Sequence, residues 1–102
     1  MIRHRIIWKL RDDLSESEKN TVRQNAKQHL EGLVGEIEGL VSMKIVIDPI
    51  VGSTGDMMLD SLFVSVDALR AYAKHPAHVY VADTYVRPYT AQRACMDYES
   101  EE

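Results

Sequence analysis

Three of the four histidines stand where they can do chemistry. His75 and His78 bracket the run His75-Pro76-Ala77-His78, Tyr72 lies six residues before His78, and His4 sits near the start of the chain. An imidazole with an ordinary pKa near 6.5 works as a general base at neutral pH. Pro76 suits a first helical position, which puts His78 in the opening turn of a helix, where the helix dipole disfavours the imidazolium. Tyr72 supplies a phenolic donor for His78 or for an enolate oxygen, a contact that counts most where charge develops in the transition state. Each residue also has a plain structural reading. His75 and His78 can cap backbone N–H groups, His4 can be a satisfied core histidine, and the Tyr72 ring is good core material.

The elements that must position these residues are legible in the alternation. Ile2, His4, Ile6, Trp8 and Leu10 alternate against Arg3, Arg5, Ile7 and Lys9, which predicts a half-buried strand with one polar member, His4, on its apolar face. Ser15 followed by Glu18 is a capping-box signature, and Val22, Ala26, Leu30 and Leu33 continue at helical spacing, so a helix is expected over 15–33. Gly32 and Gly35 end it, Gly39 turns the chain, and a second strand follows over 40–50, closed by Pro49. The Gly52–Gly55 turn leads into a third strand over 57–66, hairpin-paired with the second. Asp67 is expected to cap a helix through Lys74, which breaks at His75 and restarts from Pro76 to Val86, with Pro88 as its stop. A fourth strand is expected over 90–98. The order βαββαβ specifies an α+β, ferredoxin-like protomer with both helices on one face of an antiparallel sheet. In the sheet both faces read as fairly apolar, which predicts that a second copy covers the free face.

At 102 residues the chain holds one domain, assigned to 1–98 with an acidic tail over 99–102. A net charge of −4 with scattered basic residues argues against nucleic acid. No apolar run reaches the roughly 18 residues that span a bilayer, and the opening residues alternate rather than forming an apolar leader, so the expectation is a cytoplasmic protein with no membrane partner. A single cysteine, Cys95, agrees with a reducing compartment and reads as a small apolar side chain. His75 and His78 have a chelating spacing, but the intervening proline places His75 outside the helix and no Cys or third His is near in sequence. An axial haem ligand is likewise unspecified by one histidine. The expectation is therefore no metal and no cofactor.

The segments IRHRIIWKLRDDLSESEK, LFVSVDALRAYAKHPAHVYVADTYVRPY and MDY together resemble the stress-responsive A/B barrel (Dabb) family over nearly the whole chain. The resemblance implies a ferredoxin-like protomer, a homodimer forming an α/β barrel through the sheet faces, and a pocket in each protomer between sheet and helices. The HPAH segment looks like that of a plant member, olivetolic acid cyclase, which closes a polyketide by aldol condensation. That similarity implies His78 as the base removing a proton next to a carbonyl, assisted by Tyr72 and His4. Ile6, Trp8, His75 and Val79 are then the expected contacts for a small apolar or carbonyl-containing ligand. Where the cyclase has a helix-1 pocket tyrosine, this chain has Asn25 or Ala26. The alternative reading is a non-catalytic ligand-binding or stress-response scaffold.

Overall fold

Alternation along the first strand translates directly into burial: in β1 (Ile2–Leu10) the even-numbered side chains are buried and the odd ones face out. The computed structural model describes residues 1–101. After β1 come α1 (Glu16–Glu31), β2 (Leu40–Val46), β3 (Met57–Phe63), α2 (Val66–Lys74) and α3 (Pro76–Val81). A π-helical turn over Ala82–Val86 and a 3-10 turn over Arg87–Tyr89 lead into β4 (Thr90–Glu99). The strands pair antiparallel in the order β2-β3-β1-β4, the ferredoxin-like arrangement.

Local chemistry explains the element ends. Ser15 accepts from the Glu18 N–H while the Glu18 carboxylate accepts from the Ser15 N–H, a complete capping box that also holds the Glu18 carboxyl below its usual range. The cap of α2 is Ser65, whose hydroxyl accepts from the Ala68 N–H, rather than Asp67, which lies in the first turn. Two strands are shorter than expected: β2 stops at Val46, well before Pro49, and β3 stops at Phe63, releasing the chain for that cap. Gly39 has a φ of +87°, and a Cβ there would lie 2.6 Å from the Ala68 Cβ, so only glycine lets α2 approach the start of β2 this closely.

The helix-side face of the sheet carries Ile6, Trp8, Leu10, Met43, Ile45, Met57, Leu59 and Phe63, all buried. α1 closes over the β2 side with Val22, Ala26 and Leu30. It is also tied to the β2 edge, because Glu31 accepts from the Ile45 N–H at 2.9 Å while Lys27 donates to the Ile45 carbonyl at 3.0 Å and to Glu31 at 2.8 Å. These bonds satisfy backbone groups that an edge strand otherwise leaves open to another chain.

The outer face differs from the sequence expectation. It mixes Ile7, Met58, Leu62 and Met96 with Arg3, Arg5, Lys9, Lys44 and Asp60, and Arg3 and Arg5 both pair with Asp60. The alternation test registers which residues share a face but not how strongly charge is interleaved across neighbouring strands. Among the described residues no helix is long and apolar enough to cross a membrane.

Candidate functional site

Under α2 and α3, the β1–β4 half of the sheet is not filled. A cleft of about 840 Å³ opens there, lined by Ile6, Trp8 and His4 from β1, by Tyr72 and His78 from the helices, and by Arg93, Cys95 and Asp97 from β4. It lies within the size range of small-molecule sites. The register explains its polar floor: Trp8 faces Arg93, Ile6 faces Cys95 and His4 faces Asp97, so a polar edge strand is laid against the buried face of β1.

His78 owes its chemical state to the break between α2 and α3. Regular helix would give the Ala73 carbonyl to the N–H of Ala77, four residues on. The break at Pro76 diverts that donor: the His75 ring Nδ1 accepts from the Ala77 N–H at 3.1 Å and caps α3. His78 Nδ1 then lies 3.3 Å from the freed Ala73 carbonyl, which can only accept, so Nδ1 carries the proton and Nε2 keeps its lone pair. Burial pushes the His78 pKa below its ordinary value, with Arg87 and His4 adding to the shift and the Ala73 bond opposing it. The ring is thus a neutral base at pH 7.

Tyr72 packs beside it, ring centroids 4.1 Å apart, and also meets Phe63 edge-on at 4.9 Å. Burial holds its phenol protonated far above the usual range. Its hydroxyl is enclosed and has no hydrogen-bond partner, the sole buried side-chain polar atom so placed among the described residues. An unsatisfied buried donor is costly unless something arrives to accept from it. His4 lies 6.5 Å from Tyr72, ring to ring, with Nδ1 hydrogen-bonded to the Asp97 carboxylate. A carboxylate accepts, so the proton of this bond sits on the His4 Nδ1. The strand position of His4 is secured as well, since the Ser61 hydroxyl donates to its carbonyl at 2.9 Å.

His4, Tyr72, His78, Ile6 and Trp8 therefore share one cleft. His75 and Val79 do not line it. The His75 ring is occupied in capping, and Val79, next in sequence to His78, points roughly 100° away around the helix. Sequence reasoning gave no role to Asp97 or to a cleft-facing Cys95. Alternation grouped Arg93, Cys95 and Asp97 on one face of β4, and only the pairing register shows that this is the face of His4. The Cys95 thiol, raised by burial and by the Asp97 carboxylate, stays protonated at neutral pH and is a poor nucleophile. The π-helical turn brings Ala82 and Val86 to the cleft wall, a use of π geometry that is frequent beside functional sites.

A ferredoxin-like protomer with a polar-floored cleft beneath its second helical layer is the class defined by these features. The chain belongs to the Dabb family: residues 2–100 match the model of the stress responsive A/B barrel domain. Among solved structures it is similar to a dimeric ferredoxin-like protein of unknown function from Bacteroides fragilis, with 31% identity over 97% of this chain and 95% of the other and a TM-score of 0.91. A Dabb family protein from Mesorhizobium loti superposes with a TM-score of 0.75 at 18% identity, covering 99% of this chain and 97% of that one. Hydroxynitrile lyase from Passiflora edulis superposes with a TM-score of 0.70 at 16% identity, covering 99% and 94%. None of the curated proteins matches the chain.

Proposed function

We propose that the protein is a homodimeric lyase or isomerase that acts on a small carbonyl compound, with His78 as general base, Tyr72 as donor to the developing oxyanion, and His4 binding a polar end of the substrate. The observation that carries this reading is the pairing of a half-buried, neutral His78 whose Nε2 is free with an adjacent Tyr72 whose enclosed hydroxyl has no partner, both side chains lining one ligand-sized cleft. His78 Nε2 takes a proton from the carbon next to the carbonyl. The C–H electron pair moves into a carbon–carbon double bond as the carbonyl oxygen becomes an enolate oxygen, which accepts from Tyr72. The enolate carbon then returns the electrons to a proton, to a second carbonyl or to a leaving group. Apolar walls from Ile6, Trp8 and Val86 suit an apolar substrate body. That a lyase shares this fold is in keeping with the reading.

Its test is exchange of the central protons of a β-dicarbonyl compound with deuterium, followed by NMR. Exchange above the buffer rate is expected for the wild type and should fall roughly 10²- to 10⁴-fold in His78→Ala. Equal rates for the two proteins would remove His78 as a base and favour a ligand-binding scaffold. The dimer is proposed to form through the outer sheet face, where Ile7 and Met96 are 48% and 66% exposed. That the Bacteroides relative is dimeric supports a homodimer, whichever face it uses. Light scattering should give twice the 11.6 kDa chain mass, and Ile7→Glu should halve it.

A further inference from the structure

We propose that His4, Cys95 and Asp97 form a site for a divalent transition-metal ion, zinc by ligand type, on the floor of the cleft. Antiparallel pairing sets His4 opposite Asp97 and Ile6 opposite Cys95, and the two β4 residues, two positions apart, share the face of His4. The Cys95 Sγ lies 3.7 Å from His4 Nδ1 and 3.6 Å from the Asp97 carboxylate, and one ligand atom from each residue falls within 4.8 Å of the others. Zinc bonds of about 2.3 Å to sulfur and 2.0–2.2 Å to nitrogen and oxygen, at tetrahedral angles, separate sulfur from either partner by roughly 3.6 Å. Two edges of the ligand triangle are therefore already set.

The third edge is the His4–Asp97 hydrogen bond, which must widen to roughly 3.3 Å around a tetrahedral ion. That movement is accessible, because the Asp97 side chain is 45% exposed and sits on an edge strand. The ion would take the place of the shared proton, leaving the buried His4 ring still partnered. Binding of the ion displaces the Cys95 thiol proton to solvent, and thiolate, imidazole and carboxylate together favour zinc or cobalt over magnesium or calcium, which prefer all-oxygen shells. Three protein ligands leave a fourth position, and all three residues line the cleft, so water or a substrate oxygen would complete the shell there. The site uses neither His78 nor Tyr72 and stands or falls separately from the base assignment.

Titration of the metal-free dimer or monomer with Co²⁺ tests it, since tetrahedral cobalt bound to a thiolate shows near-ultraviolet charge transfer and intense visible bands. One Co²⁺ per chain is expected, with Zn²⁺ bleaching the spectrum by displacement. Cys95→Ser should lose the charge-transfer band, Asp97→Asn should weaken binding at least about tenfold, and His78→Ala should match the wild type. Cys95 and Asp97 are both exposed, so these variants retain the fold. Absence of the band at saturating Co²⁺, its persistence in Cys95→Ser, or its loss in His78→Ala would each overturn the site.

Discussion

The two halves of the sheet are built to opposite rules. Over the β2 side, α1 buries Val22, Ala26 and Leu30 in the core that holds Ile45 and Leu59, and Glu31 and Lys27 tie the helix to the strand edge. Over β1 and β4, α2 and α3 stand off, β4 turns Arg93, Cys95 and Asp97 inward, and a cleft remains. The same antiparallel sheet thus stores stability on one side and keeps unmade interactions on the other, chief among them the Tyr72 hydroxyl. Functional groups held without partners have to be supported by a region that is well packed.

That division predicts a large asymmetry in core truncations. Leu30→Ala, at a site 2% exposed, should cost roughly 3–5 kcal/mol in urea unfolding. Leu69→Ala, on the half-buried cleft wall, should cost less than about 1.5 kcal/mol, because its neighbours are already incompletely packed. Similar losses at the two positions would show that the cleft half carries as much of the stability as the α1 half.

Tyr72→Phe sharpens the comparison because its two readouts should move in opposite directions. Removing a buried donor that bonds to nothing should raise stability by about 1 kcal/mol, while proton exchange on a β-dicarbonyl falls roughly 10²-fold. Destabilisation together with unchanged exchange would place Tyr72 in the core as a purely structural ring.

Much of this architecture was readable before folding, for reasons of locality. The β1 alternation that isolates His4, the Ser15/Glu18 box and the break at Pro76 are each set within a few residues of chain, and the structure carries all three. The site was readable only where it follows those elements. The partnership of His4 with Asp97 spans 93 positions and depends on strand register, which no local pattern encodes. Ser65 and Asp67 both have capping chemistry, and tertiary placement of the strand end decided between them. His75 shows the limit in another way, since its nearness to His78 suggested a shared ligand, whereas the backbone break converts that nearness into control of the His78 proton.

His75 therefore offers a test that acts through another residue. His75→Ala removes the α3 cap, with an expected loss of about 1 kcal/mol, and frees the Ala77 N–H to compete for the Ala73 carbonyl. Exchange should fall roughly tenfold because the His78 tautomer is no longer fixed. His75→Asn, which restores a capping oxygen, should recover most of both losses. Full activity in His75→Ala would show that the tautomer is set without the cap.

The smallest expected effect concerns the packed half and is read through pH. Burial tends to raise the Glu31 pKa, but the Ile45 N–H and the Lys27 ammonium outweigh it, so the folded value lies below the ordinary 4.5. A carboxyl depressed by folding contributes stability that is fully present above its unfolded pKa and is lost as pH falls through the folded one. Glu31 should therefore contribute above about pH 5 and fade below 4.5, by roughly 1 kcal/mol or less because its side chain is 32% exposed. Glu31→Gln keeps an acceptor for Ile45 and lacks the titration, so its unfolding free energy should drop less steeply between pH 5 and pH 3 than that of the wild type. Depressed carboxyl pKa values at Glu18 and Asp13 add acid sensitivity that this variant retains, so the slope should lessen without vanishing. An unchanged slope would mean that the clamp between α1 and β2 does not depend on the Glu31 charge, and that apolar contact alone closes the packed half.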